Sequence, residues 1–192
     1  MAVARKKPTI LVLGYGNPGR LDDGLGPALA ENIGRLALPG VTAESAYQLN
    51  IEDAALIAGF GVVVFADAAV TGDDPGFFRR LLGRPAASCS SHVMRPEAVV
   101  ALAAEALGFA GRAYLLGVRG YAFNEYEERL SERAQRNLAS QAAMLARALA
   151  GHAAAIDSFT TGGPIDDSAA ACNAACGCHA RPAITASIGG EP

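Results

Sequence analysis

Residues 10–36 read ILVLGYGNPGRLDDGLGPALAENIGRL, a short apolar run followed by a Gly- and Pro-rich turn and a longer amphipathic segment. The run 10–13 is β-prone and ends at Gly14, as expected of a strand that is buried on both faces. Apolar residues then recur at helical spacing, at Leu25, Leu29, Ile33 and Leu36. A strand that leads into an amphipathic helix, which we expect to stop before Pro39, predicts the first half of a β–α–β unit.

The same alternation of strand and helix patterns continues to residue 150. Further strands are predicted at 41–47, 62–65 and 113–118, and the very apolar run 62–65 is expected at the centre of the sheet. Helices are predicted at 51–58 with Asn50 as N-cap, from Pro96 to about 107, and after the N-cap Ser131. The segment 77–82 is ambiguous and leans toward a strand. Together these patterns predict an α/β fold, a three-layer α/β/α sandwich around a twisted, mostly parallel sheet.

The composition favours a globular protein and argues against several classes. The chain has 192 residues, of which 51% are hydrophobic and 18% charged, enough apolar material for one domain with a core. With 16 basic and 19 acidic residues its formal net charge is -3, which argues against a basic nucleic-acid-binding face. No apolar run is long enough for a membrane span or a signal peptide. The few cysteines form no disulfide framework, so a cytoplasmic location is expected.

The turn after the first strand satisfies the GxGxxG pattern of a dinucleotide-binding loop. Asp22 and Asp23 weigh against this interpretation, because two carboxylates at the start of a helix compete with a pyrophosphate for the same N–H groups. A nucleotide-binding oxidoreductase therefore stays an alternative. For Asp22, capping of the following helix is the favoured interpretation. Asp23 is followed by Gly24 and Gly26, small residues that leave its carboxylate open to a cleft.

Three polar residues follow different strand patterns and are expected at one edge of the sheet. Asp23 follows the first strand, Asp67 follows the run 62–65, and His92 lies in a later polar loop. Taken singly, Asp67 is as well explained as a cap, and His92 as a surface residue. In a parallel sheet, however, these positions converge on one cleft at the carboxyl ends of the strands. Two carboxylates and an imidazole suit a divalent cation with open coordination positions.

Short motifs within residues 9–150 carry a family resemblance. They are GYGN at 14–17, DDGLG at 22–26, FADAA at 65–69, SSH at 90–92 and LGVRG at 116–120. This set resembles the maturation endopeptidases of nickel–iron hydrogenases. The asparagine and the acidic pair make the first two motifs together far more specific than GxGxxG alone.

The resemblance implies a phosphorylase/hydrolase-like α/β sandwich and a peptidase. Its expected reaction is removal of the C-terminal extension of a hydrogenase large-subunit precursor after nickel insertion. Asp23, Asp67 and His92 are implied as both the catalytic and the metal-contacting residues, and the nickel is carried by the substrate, with no permanent cofactor. The expected partner is that precursor, with neither nucleic acid nor membrane involved. The general base stays open between Asp23 and Asp67, with His92 as ligand or proton carrier.

Residues 151–192 differ in composition from the rest of the chain. Ala, Gly, Ser and Pro dominate, so we expect this tail to be poorly ordered and to lie outside the core. It holds a cluster of possible metal ligands, Cys172, Cys176, Cys178 and His179. These side chains suit zinc, nickel or an iron–sulfur centre, although their spacing matches no standard motif. A non-enzymatic metal chaperone is therefore a second alternative, and incidental cysteines are the simpler explanation.

Overall fold

The computed structural model describes residues 9–85, 94–151 and 155–166, which include five strands and four α-helices. The strands are β1 (Ile10–Tyr15), β2 (Val41–Ala46), β3 (Val62–Ala69), β4 (Gly76–Leu81) and β5 (Arg112–Arg119). The helices are α1 (Leu25–Arg35), α2 (Asp53–Ala58), α3 (Pro96–Leu107) and α4 (Glu132–Ala150). Two short 3-10 helices, Leu21–Gly24 and Ile156–Phe159, complete the regular structure of these ranges.

The five strands form one sheet in the order β2-β1-β3-β5-β4. Strands β2, β1, β3 and β5 are parallel, and β4 pairs with β5 in the antiparallel direction. The predicted mostly parallel sheet is therefore confirmed, with the run 62–65 in its central strand. The ambiguous segment 77–82 forms most of the antiparallel edge strand.

Helices cover both faces of this sheet. Val62 and Val64 of β3 pack in one core cluster with residues of α1 and α4, whereas Val63 and Phe65 pack in a second cluster with residues of α2 and α3. Every residue of β3 is buried, because both of its faces are covered. The three-layer architecture is confirmed. In the described ranges, the helices are too short or too polar to span a bilayer.

Several helix boundaries differ from the predicted ones. Leu36 was expected on the buried face of the first helix, but α1 ends at Arg35 and Leu36 is 51% exposed. Asn50 does not cap α2, which begins three residues later. Its Oδ1 instead accepts a 3.0 Å hydrogen bond from the Glu52 N–H in the preceding turn. Ser131 does cap α4, since its hydroxyl accepts from the Ala134 N–H.

Residues 155–166 pack against the domain, although the composition predicts that the chain leaves the core after residue 150. Ile156 is fully buried in the cluster that includes α1 and α4. Ile165 forms a parallel bridge to Leu81 at the open edge of β4. The described structure thus continues past the predicted end of the domain at residue 150, because Ile156, Phe159 and Ile165 pack against the two core clusters. We call residues 155–166 the edge segment.

Candidate active site

The loop between β1 and α1 is packed tightly against the ends of two strands. A Cβ atom on Gly26 would lie 2.3 Å from the carbonyl oxygen of Tyr15 and 2.5 Å from that of Ala66, so a glycine is required where α1 approaches β1 and β3. Gly16 has φ of 137°, and a Cβ there would lie 2.1 Å from the carbonyl oxygen of Asp23. These glycines therefore allow the loop to close around Asp23 beside the carboxyl ends of the strands.

Asp67 lies near the end of β3 and is 3% exposed. Its Oδ1 accepts a 2.7 Å hydrogen bond from the Ala68 N–H, and its carboxylate accepts another from the Tyr15 side chain. Burial, together with a smaller effect of the charge of Asp23, raises the pKa of Asp67 to about 8 against the lowering effect of these two hydrogen bonds. Among the described residues, the groups that favour the ionised form of this carboxyl are therefore two uncharged donors.

Asp23 is the second buried carboxylate at this edge, with 5% of its surface exposed. Its Oδ2 accepts a 3.3 Å hydrogen bond from the Asn17 N–H. Its Oδ1 is buried and has no hydrogen-bond partner in the described part of the chain. Burial raises the pKa of Asp23, although the Asn17 N–H and the charge of Arg20 lower it. A buried carboxylate oxygen without a donor costs about 1–3 kcal/mol, so a ligand that satisfies it would be stabilising.

The two carboxylates together suit a cation. They are close enough for the charge of Asp23 to raise the pKa of Asp67, and a divalent ion next to both would remove this repulsion. Carboxylate oxygens are suitable ligands for hard and borderline cations. Across residues 9–85, 94–151 and 155–166, no group of three or more His, Cys, Asp or Glu side chains is arranged to hold a metal. These two acids therefore leave coordination positions for further ligands.

His92, the third predicted member of the site, lies outside the described residues. The chain is described again from Met94, whose N–H donates a 2.9 Å hydrogen bond to the carbonyl oxygen of Leu49. Leu49 follows β2, which is parallel to β1. This contact therefore lies at the carboxyl ends of the strands, the same edge of the sheet as the two carboxylates. The structure brings Asp23 and Asp67 to one edge, and the catalytic and metal-contacting roles of Asp23, Asp67 and His92 stay predictions.

Solved structures share this architecture. The [NiFe] hydrogenase maturation protease HycI from Thermococcus kodakarensis KOD1 matches with a TM-score of 0.59 and 24% identity, over 74% of this chain and 93% of its own. The hydrogenase maturating endopeptidase HybD from E. coli matches with a TM-score of 0.54 and 20% identity, over 73% and 91%. The endopeptidase HycI from Escherichia coli gives 0.56 and 19%, over 72% and 90%. This chain has the fold of the hydrogenase maturation proteases. No family model and no curated protein sequence matches it.

The resemblance inferred from the sequence motifs is thus confirmed for the fold. The maturation-protease fold covers about three quarters of this chain in each comparison.

The predicted metal ligands of the tail are outside the described residues, and metal binding there stays a prediction. They are Cys172, Cys176, Cys178 and His179.

Asp22 has a different role from the predicted one. It does not cap α1, which begins at Leu25 without a side-chain hydrogen bond at its N-cap. Its buried carboxylate accepts hydrogen bonds from Tyr121, Ala122 and Ser131, about one hundred positions later in the chain. Since these partners are distant in sequence, helix periodicity and capping rules carry no signal for them.

Tyr15 is a second residue that sequence reasoning missed. It is the last residue of β1, is buried, and donates to the carboxylate of Asp67. The available signal was its position: a hydroxyl-bearing residue at the end of a strand, inside the GYGN motif and next to the strand that carries Asp67. A tyrosine there is equally typical of a core position, so the pattern alone does not indicate this hydrogen bond.

Proposed function

We propose that this chain is an endopeptidase that removes the C-terminal extension of the large-subunit precursor of a nickel–iron hydrogenase after nickel insertion. The proposal is carried by two buried carboxylates, Asp23 and Asp67, at the carboxyl edge of a sheet with the maturation-protease fold, one of which, Asp23, has an oxygen without a hydrogen-bond partner among the described residues. Ligands of open parallel sheets bind at this edge. The solved structures with this fold include hydrogenase maturation proteases by name, which supports the same class of reaction here.

In this proposal the nickel belongs to the substrate. Asp23 and Asp67 contribute carboxylate oxygens to its coordination, and His92 contributes an imidazole nitrogen. The hydrogen bond from Met94 to Leu49 supports a role for His92 as a ligand. Met94 is two residues after His92 in the sequence and lies at the carboxyl edge of the sheet. Peptide hydrolysis needs a polarised carbonyl and an activated water, and a bound metal ion favours both.

The carboxylates also suit proton transfer. A general base works best when its pKa is close to the working pH, and burial raises the pKa of Asp67 to about 8 and that of Asp23 above its ordinary value. A nearby cation would lower the pKa of both carboxyls. Either residue is therefore able to take the proton of the attacking water, and the choice between them stays open.

A site that is completed by the metal of its substrate makes cleavage conditional on that metal. A precursor without nickel brings no cation to stabilise both acids in their ionised form and leaves the Asp23 Oδ1 without a partner among the described residues. Such a precursor binds without the interactions that orient its scissile bond. We therefore expect nickel-loaded precursor to be cut and nickel-free precursor to persist.

The direct test incubates the purified chain with nickel-loaded and nickel-free large-subunit precursor and follows the precursor mass. We expect loss of the C-terminal extension from the loaded form only. Asp23→Asn and His92→Ala should lower the rate by at least about a hundredfold, as for loss of a catalytic group. Asp73→Asn makes the same charge change on an exposed loop and should cleave normally. Equal cleavage of the two precursors would contradict the proposed dependence on nickel. Absence of cleavage with any such precursor would contradict the proposed peptidase activity.

The loop geometry argues against the nucleotide-binding alternative. In a dinucleotide-binding loop the glycines leave room for the pyrophosphate at a helix N-terminus. Here the space beside Gly16 is filled by the backbone of Asp23, and a Cβ on Gly24 would lie 2.9 Å from Pro18. The residues before α1 form a turn that carries two buried acids. Micromolar binding of NAD or NADP in calorimetry would reverse this argument.

A further inference from the structure

Asp22 is fully buried and fastens the turn Leu21–Gly24 to a distant part of the chain. Its Oδ2 accepts hydrogen bonds from the N–H groups of Tyr121 and Ala122, at 2.7 and 2.9 Å, and from the hydroxyl of Ser131 at 2.7 Å. Its Oδ1 accepts from the Ser131 N–H at 2.7 Å. We call these four hydrogen bonds the Asp22 clamp.

The Asp22 clamp attaches the loop by burying a carboxylate, which costs desolvation free energy. All four donors are uncharged groups, and burying a carboxylate is unfavourable unless its hydrogen bonds are complete. Apolar contacts would attach the same loop at lower cost. Four short hydrogen bonds to one carboxylate fix the backbone position of the turn. They therefore also fix the position of Asp23, the residue that follows Asp22.

Asp23 is held from its other side as well. The Asn17 N–H donates to its Oδ2, and the guanidinium of Arg20 donates a 3.2 Å hydrogen bond to the carbonyl oxygen of Phe123, beside the clamp. With Oδ2 occupied, Oδ1 is the oxygen left without a partner in the described residues. The orientation of that free oxygen therefore depends on the backbone of the turn.

We propose that Asp22 is a positioning residue, whose clamp on residues 121–131 sets the direction of the free Asp23 oxygen toward the substrate. This inference rests on the proposed function. Asp22 itself is buried and touches neither substrate nor metal. Because small displacements of a catalytic group lower rates steeply, loosening the clamp should reduce turnover far more than substrate binding.

Asp22→Asn is the sharpest variant, because it keeps the shape of the side chain. Its NH2 group must replace either Oδ2, which accepts three hydrogen bonds, or Oδ1, which accepts one. In both orientations a donor faces a donor, so the clamp cannot re-form completely. Ser131→Ala is the matched control. It removes one hydrogen bond of the clamp and the N-cap of α4, but leaves the three backbone donors on Asp22.

The experiment compares kcat, KM and thermal unfolding of the two variants on nickel-loaded precursor, with amide hydrogen exchange of the free protein. We expect both variants to melt at lower temperature. Asp22→Asn should lower kcat by at least about tenfold with KM within about threefold, and Ser131→Ala, which keeps three of the four clamp bonds, should lower kcat by less than about threefold. Exchange at the amides of Asn17 and Asp23, which are hydrogen-bonded in this loop, should accelerate about tenfold in Asp22→Asn only.

A purely structural role would give equal kinetic and exchange changes in the two variants at equal loss of melting temperature, and would overturn the inference. Normal kcat in Asp22→Asn would overturn it too. If the unmodified chain cleaves no precursor, the proposed function fails, but the exchange measurement needs no substrate. Unchanged exchange at Asn17 and Asp23 in Asp22→Asn would then overturn the clamp by itself, and selective acceleration would support it.

Discussion

Carboxylates at the carboxyl edge of the parallel strands and in the edge segment have opposite environments. At the outer side, Asp157 of the edge segment accepts 2.6 Å hydrogen bonds from the Tyr114 hydroxyl and the Arg112 guanidinium. The bond from Tyr114 and the pairing with Arg112 hold the pKa of Asp157 below its usual range. At the carboxyl edge, burial raises the pKa of both Asp67 and Asp23. Asp157 is therefore paired with a cation within the fold, whereas Asp23 keeps one oxygen without a hydrogen-bond partner among the described residues.

The two regions are also well separated. Ile165 pairs with Leu81, which lies opposite Ala113 of β5, whereas Asp67 lies opposite Gly117. That difference is four residues along the strand, and three strand spacings lie between β3 and the edge segment, so the separation is roughly 20 Å. Changes in the edge segment should therefore alter stability and leave the chemistry intact, whereas changes at the carboxyl edge should alter the chemistry.

Asp67→Asn should give the largest effect, with opposite signs for activity and stability. Processing should fall by at least about a hundredfold, since the variant loses a charged ligand and possible base. The folded carboxyl, with a pKa of about 8, holds its proton more tightly than the unfolded one at 3.8. Stability from this group is therefore complete below pH 3.8 and is lost as pH rises to about 8. Between pH 5 and 8 the unmodified chain should lose on the order of 3 kcal/mol more than Asp67→Asn.

Urea denaturation at the two pH values measures this difference, and Asp73→Asn serves as the control on an exposed loop. In the control, the free energy of unfolding should change with pH as in the unmodified chain. Parallel pH dependence in all three proteins would mean that burial does not raise the pKa of Asp67. The contrast between the two edges would then disappear.

Truncation of the tail should separate the edge segment from the residues beyond it. A chain that ends at Gly151 loses buried Ile156 and the segment that covers β4. Its free energy of unfolding should be lower by about 2–3 kcal/mol. A chain that ends at Asp166 keeps the edge segment and should match the full chain in stability and in processing. Thermal and urea unfolding, with the precursor assay, measure both.

The chain that ends at Asp166 also tests the metal-chaperone alternative, because it lacks Cys172, Cys176, Cys178 and His179 while keeping the folded domain. Normal processing would leave the cysteine cluster without a part in the reaction. Loss of processing at normal stability would contradict the proposal that the carboxyl edge is sufficient, and would give the tail a functional role.

The sequence was informative where one periodicity dominates. The run 62–65, the helix after Ser131 and the strand–turn–helix around Gly14 predicted the layers and the central strand, because burial on both faces demands continuous apolar residues. The same rules placed Asp23 and Asp67 at one edge. They could not predict the Asp22 clamp, which joins a turn to residues about one hundred positions later, or the Tyr15 hydrogen bond, which joins two neighbouring strands. Nor could composition predict the edge segment, whose attachment depends on a few apolar side chains and backbone pairs.

Asp157→Asn should have the smallest effect and should act on stability alone. The Arg112 pair and the Tyr114 hydrogen bond lose the charge of their acceptor, and because Asp157 is partly exposed we expect a loss of about 1 kcal/mol at neutral pH. The folded pKa is lowered, so this contribution is present above the unfolded pKa of 3.8 and disappears as pH falls through the folded pKa. Asp166→Asn is the matched control, since its 3.9 Å pair with Arg84 is exposed and should contribute almost nothing. Equal losses in the two variants would mean that Asp157 is an ordinary surface acid, whereas reduced processing in Asp157→Asn at normal stability would show that the two edges are coupled.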